Sequence, residues 1–308
     1  MPWGELAHER PWWMRVKAPT ASSRFAELDE IVRGEGLVTV CEEARCPNIA
    51  ECWGRGTATF QIMGEVCTRA CRYCAVTSGK RGDLLDPLEP GKLAAAAERM
   101  GLSYIVVTSV DRDDLEDAGA EHWAQTIRAL RRRLPEVTVE VLTPDFRGVE
   151  EAALATVLDA HPHVFNHNIE TCRRVQRIVR IRGDYERALW LLQRAKQVWA
   201  ANHADRSPLL TKSGIVAGMG ETDEEILETL RDLRARDVDV VTIGQYLQPT
   251  ARHLPLARWV PLESFKRFRE EGERMGFGSV FSGPLVRSSY RADEQQLAAI
   301  GHSRVVTP

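Results

Sequence analysis

From residue 57 onward, six β-like runs alternate with six helical stretches, and this alternation restricts the fold more than any other feature of the chain. The runs are Thr57-Ala-Thr-Phe-Gln-Ile-Met63, Tyr104-Ile-Val-Val-Thr-Ser109, residues 137–142, 164–169, 210–215 and 238–243. The pattern predicts helices at about 90–101, 119–133, 149–160, 184–204, 222–236 and 261–275. Thr222, followed by Asp223, Glu224 and Glu225, supplies an N-cap with carboxylates in the first turn. Strands that alternate with helices of this length build a parallel sheet with helices outside. Right-handed crossovers then curl the sheet toward a barrel. Six units fall short of the eight in a closed barrel. The expected fold is therefore α/β: a partial (β/α)6 TIM-type barrel over 56–250, with an N-terminal extension (1–55) and a C-terminal extension (251–308).

Cys67, Cys71 and Cys74 follow the first run, spaced C-x3-C-x2-C. Three thiolates within eight residues can meet at one point if the backbone loops around it, and thiolates suit zinc and iron–sulfur clusters. A disulfide does not use three cysteines, and the spacing lacks the paired C-x2-C of common zinc sites. A four-iron cluster held by three cysteines leaves one iron open for chemistry. Upstream stand Cys41, Cys46 and Cys52, spaced C-x4-C-x5-C and interleaved with Glu, Arg, Pro and Asn. That mixture is unlike a buried apolar stripe, and a second metal centre is expected. The short separation of the triplets places both centres on one face of the fold.

Six of the seven cysteines lie between Cys41 and Cys74. With no apolar core in the first ten residues, the clustered, odd set points to metal binding in a reducing compartment, the cytoplasm. A net charge of −3 offers no bulk attraction for nucleic acid, and no apolar run is long enough to cross a bilayer.

In folds of this kind the chemistry sits at the C-terminal ends of the strands. Polar residues collect there: Cys67, then Thr108 to Asp114, Thr143 to Asp145, Asn166 to Thr171, Lys212 with Gly218 to Glu221, and Gly244 to Thr250. For any one of them a cap or loop hydrogen bond is as good an account as a functional role. Lys212 is as well explained by a buried ion pair as by a ligand carboxylate, and Cys172 reads as a small buried side chain. His163 and His167 read as structural. The first 35 residues show weak periodicity and read as a wrapping extension, and the tail from about 298 shows no pattern.

The C-x3-C-x2-C stretch, with Tyr73 before its last cysteine, resembles the signature of the radical S-adenosylmethionine (SAM) superfamily. With residues 39–53, 56–60, 67–76, 108–115, 166–171, 242–250 and 283–290 taken together, the chain resembles the lipoyl synthase family along nearly its whole length. The C-x4-C-x5-C triplet and the Arg287-Ser288-Ser289-Tyr290 end are the most specific parts of that match. The resemblance implies two [4Fe–4S] clusters and SAM. Cys67, Cys71 and Cys74 would hold the SAM-binding cluster, and Cys41, Cys46, Cys52 and Ser289 the auxiliary one. It implies insertion of two sulfurs, at C6 and C8 of an octanoyl chain on a lysine of a carrier, with the auxiliary cluster as sulfur source. The carrier would be a lipoyl domain or glycine-cleavage H protein, and the electron donor a ferredoxin or flavodoxin. Strand-end position selects Tyr73 (through its backbone), Thr108, Asn168, Glu170, Lys212 and Leu247 as SAM contacts. A serine oxygen is a harder ligand than a thiolate, so Ser289 would be the weak anchor of a cluster that is taken apart. Arg291 stands where the family usually has His, and Ala118 where Gly is common. Two other readings remain open: an auxiliary cluster that only relays electrons, and a non-catalytic zinc protein.

Overall fold

The computed structural model describes residues 9–14, 23–34, 37–39, 46 and 48–306. Its strands, in chain order, are β1 (Val38–Thr39), β2 (Thr57–Ile62), β3 (Val66–Cys67), β4 (Thr77–Ser78), β5 (Tyr104–Ser109), β6 (Thr138–Leu142), β7 (Val164–Asn166), β8 (Leu210–Ala217), β9 (Val240–Gln245) and β10 (Ser279–Ser282). One sheet runs in the order β1-β2-β5-β6-β7-β8-β9-β10. The strands from β2 to β10 in this sheet are parallel, β1 is antiparallel at the edge, and the two edges do not pair. The sheet is thus an open, partial barrel.

All six expected helices form: Glu89–Arg99, Ala120–Arg133, Glu150–Asp159, Tyr185–Asn202, Asp223–Arg234 and Leu262–Met275. Thr222 caps its helix with a complete capping box to Glu225. Every residue of β2 and β9 is buried, as expected for strands covered on both faces. The outward face, with Ala58, Phe60, Ile105, Val107, Val139 and Val141, packs under the helices. The turn before Ala120–Arg133 holds Ala118 at φ 51°, a left-handed backbone that glycine adopts without strain. This accounts for the glycine expected there.

Three things differ from the sequence reading. A seventh parallel strand, β10, comes from the C-terminal segment, because the helix Leu262–Met275 makes a further crossover. The weakly periodic N-terminal segment contains the helix Ser23–Gly34, whose Leu28, Ile31 and Val32 join the main core. The patternless tail forms the helix Ala292–Val306, and its Ala299 packs on Val164, Leu210 and Val240 at the starts of β7, β8 and β9. The tail thereby covers the lower end of the barrel interior. Its alternation is faint because alanines and the buried polar Gln295 make up much of its inward face.

Inside the barrel, two positions lack side chains for a reason. A Cβ on Gly214 of β8 would sit 2.5 Å from Asn168 Oδ1 and 3.0 Å from Ser288 Oγ, and one on Gly244 of β9 would collide with the Val286 carbonyl oxygen. These glycines let residues 286–289 lie across the interior against the sheet.

Candidate active site

The loop after β2 is folded by a miniature parallel pair, with Val66 opposite Thr77 and Cys67 opposite Ser78. The Gly79 N–H closes it onto the Cys67 carbonyl at 2.9 Å. Backbone N–H groups of Arg69 and Asp111 point at Cys67 Sγ, at 3.4 and 3.3 Å. The thiols of Cys67, Cys71 and Cys74 are each pushed up to about 11, by burial above all. Each also feels another of the three: Cys67 feels Cys71, Cys71 feels Cys74 and Cys74 feels Cys67. The three sulfurs therefore share one space and keep their protons at neutral pH until a metal displaces them. Among the described residues, no three His, Cys, Asp or Glu side chains close around a point small enough for a single ion. A lone zinc, with bonds of about 2.3 Å to sulfur, needs such a close set. A cubane spaces its ligands further apart.

Charged groups surround this space. Arg69 is 3% exposed and pairs with Asp111 (3.3 Å), Asp113 (2.7 Å) and Asp145 (2.6 Å). Buried Arg180 donates from Nη1 to the Asn168 carbonyl at 3.0 Å. Burial opposes its charge, but Tyr73, Glu170, Cys71 and Asp111 together hold it protonated. Sequence position marked neither arginine. Arg69 stands inside the Cys67–Cys74 set and Arg180 far from it in sequence, and only the fold gathers the acids around them.

The expected SAM contacts divide. Glu170 adopts φ 71°, a strained conformation for a non-glycine residue. Burial raises its carboxyl, while Arg180, Asn168 and Tyr73 hold it down. Tyr73, Asn168, Glu170 and Arg180 thus form one cluster next to Cys71. Asn168 Nδ2 also donates to Ser288 Oγ at 2.8 Å. Thr108 is at the end of β5, its hydroxyl on the Leu142 carbonyl at 3.0 Å. Leu247 is half-buried just beyond β9. Lys212 is not in this group. Its Nζ is 2.9 and 3.0 Å from the two Glu140 oxygens, and Glu140 also accepts from Tyr104 (2.8 Å) and Asn166 (2.8 Å). The register sets Lys212 opposite Asn166 and Val240 in the first half of β8, below the end where chemistry collects. Burial lowers the Lys212 pKa, and Glu140 offsets this only in part. The ion-pair reading holds, and the ammonium is engaged in the interior.

A second cavity is lined by Cys46, Cys52, Thr57, Thr59, Arg287, Ser289 and Tyr290, with Asn48 and Ile49. Cys41 lies outside the described residues. Thr57 and Thr59 are on the interior face of the first half of β2, whereas Cys67 follows the end of that strand. From Thr59 to Met63 the strand rises about 13 Å, so the two cysteine sets stand at different heights beside one strand. Chain ends build this cavity. Asn48 Nδ2 donates to the Leu285 carbonyl at 2.7 Å, Glu51 takes Arg291 at 2.7 and 3.0 Å, and Arg55 reaches Asp293 and Glu294. Arg287 is half-buried, burial disfavours its charge, and Cys46 offsets this in part. A half-buried cation beside a thiol rather than a carboxylate is a setting for an anionic metal–thiolate group.

The radical SAM superfamily profile matches residues 62–233. A lipoyl synthase of Thermus thermophilus is 53% identical over 291 residues, covering 94% of this chain and 87% of that one. One from Pyrobaculum arsenaticum is 53% identical over 294 residues, covering 94% and 96%. One from Cupriavidus necator is 52% identical over 288 residues, covering 93% and 84%. Among solved structures, the FeFe-hydrogenase maturase HydG of Carboxydothermus hydrogenoformans aligns with a TM-score of 0.53 at 15% identity, over 92% of this chain and 70% of that one. Streptococcus suis SuiB bound to S-adenosylmethionine aligns at 0.55 and 11%, over 78% and 54%. At those identities the likeness to solved structures shows the fold alone. The match to the lipoyl synthases covers more than nine-tenths of the chain at just over half identity, and the chain therefore belongs to the lipoyl synthase family of the radical SAM superfamily.

Proposed function

We propose that this chain carries out the reaction of its family with the residues described above: insertion of two sulfur atoms, at C6 and C8, into an octanoyl chain borne on a carrier lysine. When bound, a [4Fe–4S] cluster with SAM supplies a 5′-deoxyadenosyl radical, and an auxiliary [4Fe–4S] cluster supplies the sulfur. Cys67, Cys71 and Cys74 hold the first, and the two N–H groups on Cys67 Sγ favour its thiolate. Tyr73, Asn168, Glu170 and Arg180 would hold SAM, together with Thr108 and Leu247. Arg180 is the group suited to a carboxylate, and Glu170 and Asn168 are suited to hydroxyls. Cys41, Cys46, Cys52 and Ser289 hold the auxiliary cluster, and Arg287 offsets its negative charge. The extensions 1–55 and 251–308 supply that second ligand set, and the barrel 56–250 supplies the first.

The observation that carries this reading is the meeting of Cys46, Cys52, Ser289 and Arg287 around one cavity inside the barrel. The octanoylated partner is a lipoyl domain or glycine-cleavage H protein, and electrons come from a ferredoxin or flavodoxin. No described helix is long and apolar enough to cross a membrane, and we place the reaction in the cytoplasm, where thiols stay reduced. The test is an anaerobic assay with octanoylated carrier, SAM and a reductant, followed by mass spectrometry of the carrier. A gain of two sulfurs per acyl chain is expected. SAM cleavage without sulfur gain points to an electron relay instead, and zinc without sulfide refutes both. Ser289→Cys tightens the weak anchor. That variant should keep its iron and sulfide yet insert sulfur at least about tenfold more slowly, and full activity would refute the anchor role.

A further inference from the structure

The outer face of the Cys67–Cys74 loop is rimmed by cations that form no ion pair with a described residue. Arg72, Lys80, Arg81, Arg177, Arg182 and Arg252 are all exposed, and none forms an ion pair with a described residue. Backbone and side-chain bonds make the rim continuous. The Arg72 N–H donates to the Val179 carbonyl at 3.0 Å, and the Leu254 N–H to the Arg72 carbonyl at 2.7 Å. Arg182 Nη1 reaches the Thr68 carbonyl at 3.5 Å, and Lys80 and Arg81 follow Gly79, which closes onto Cys67. Two large apolar side chains stand among them, Ile181 at 61% and Leu84 at 99% exposure. The neighbouring acids are mostly engaged. Asp113 and Asp114 pair with Arg69 and Arg112, Asp83 accepts two backbone N–H groups, and Asp184 caps a helix. Glu65 is the remaining exposed carboxylate nearby. The whole chain has a net charge of −3, so this basic face is a local departure from the molecule's charge. Exposed cations mixed with apolar side chains are the composition of a docking surface for an acidic protein.

Position decides which acidic protein. Cys67 Sγ lies 3.6 Å from Asp111 Oδ2, just past the end of β5 on the barrel side, while Arg72 between Cys71 and Cys74 faces solvent. The interior is where SAM and the acyl arm must enter. Electron-transfer rates fall steeply with distance, and exposed Arg72 between Cys71 and Cys74 makes this loop a short way in from solvent. We infer that the rim formed by Arg72, Lys80, Arg81, Arg177, Arg182 and Ile181 docks a small acidic electron-transfer protein against the cluster loop. The inference rests on the reading that Cys67, Cys71 and Cys74 hold a redox cluster.

The test compares holoenzyme with the variant Lys80→Glu/Arg81→Glu/Arg177→Glu. The readout is the rate of 5′-deoxyadenosine formation, driven either by dithionite or by titrated, reduced acidic ferredoxin. Dithionite-driven rates should not change. The ferredoxin concentration for half-maximal rate should rise about tenfold or more at low salt. The difference should shrink toward 1 M salt, where screening acts within about 3 Å. An unchanged ferredoxin dependence overturns the inference. So does a rise in KM for octanoylated carrier under dithionite with ferredoxin unaffected, because the rim then serves the carrier. If the triple variant loses its clusters, Lys80→Glu and Arg81→Glu are measured singly, with about two- to threefold expected for each. Failure of the parent protein to cleave SAM with dithionite would instead sink the underlying reading, which keeps the two failures distinct.

Discussion

Ser288 and Ser289 are adjacent yet face different partners. Ser289 lines the cavity with Cys46 and Cys52, while Ser288 bonds Asn168 in the SAM-side cluster. That bond ties the segment carrying Ser289 to the turn after β7 that carries Asn168, and so, in the proposed reaction, sets the spacing between radical source and sulfur source. Ser288→Ala should leave iron and sulfide content unchanged. The ratio of 5′-deoxyadenosine formed to sulfur inserted should rise about three- to tenfold, since small misplacements of reacting groups are costly. Rates that fall together, with the ratio constant, would show a purely structural role. Lys212 is the contrasting case. Lys212→Met strands the Glu140 carboxylate in the interior and should cost about 3–5 kcal/mol in denaturant unfolding. Adding Glu140→Gln should recover most of that loss, and SAM affinity should not change in the double variant.

The repeating elements were legible because each announces itself locally. All six helices and six strands lie within a few residues of their expected positions, and β7 is shorter, ending at Asn166 rather than 169. There the chain leaves the ladder, and Asn168 and Glu170 turn toward the cysteine loop. The N-cap at Thr222 was readable in the same way, from four consecutive residues, and the structure completes it as a capping box with Glu225. Thr222→Ala should cost about 1 kcal/mol and lower the melting temperature by about 2 °C, measured by thermal scans of the cluster-loaded protein. The helix Ser23–Gly34, strand β10 and the closing helix Ala292–Val306 were not legible. Their apolar faces are narrow or made of alanine, so periodicity is weak until the surface they cover is known.

For the molecule as a whole, the barrel interior is a place where charge is kept only in company. His167 lies there, its Nδ1–H on the Thr143 carbonyl at 2.8 Å. Burial, then Arg180, depresses its pKa to about 4, against an ordinary 6.5. The unfolded chain therefore binds a proton that the folded one refuses between those values. Its contribution is full above pH 6.5 and is lost as pH falls through the window to 4, a span of about 3 kcal/mol. His167→Asn should flatten the unfolding free energy between pH 6.5 and 4 by up to that amount, and an unchanged slope would count against this assignment. Residue types and spacing alone determined the two cysteine sets, the strand–helix alternation and the family, because ligand spacing and periodicity are properties of neighbours along the chain. Only the tertiary structure decided that Lys212 belongs to Glu140, that Arg180 and Arg287 stand beside thiols, and that Gly214 and Gly244 clear a path for residues 286–288. Those pairs are tens to hundreds of residues apart, and nothing in either partner's local sequence encodes the approach of the other.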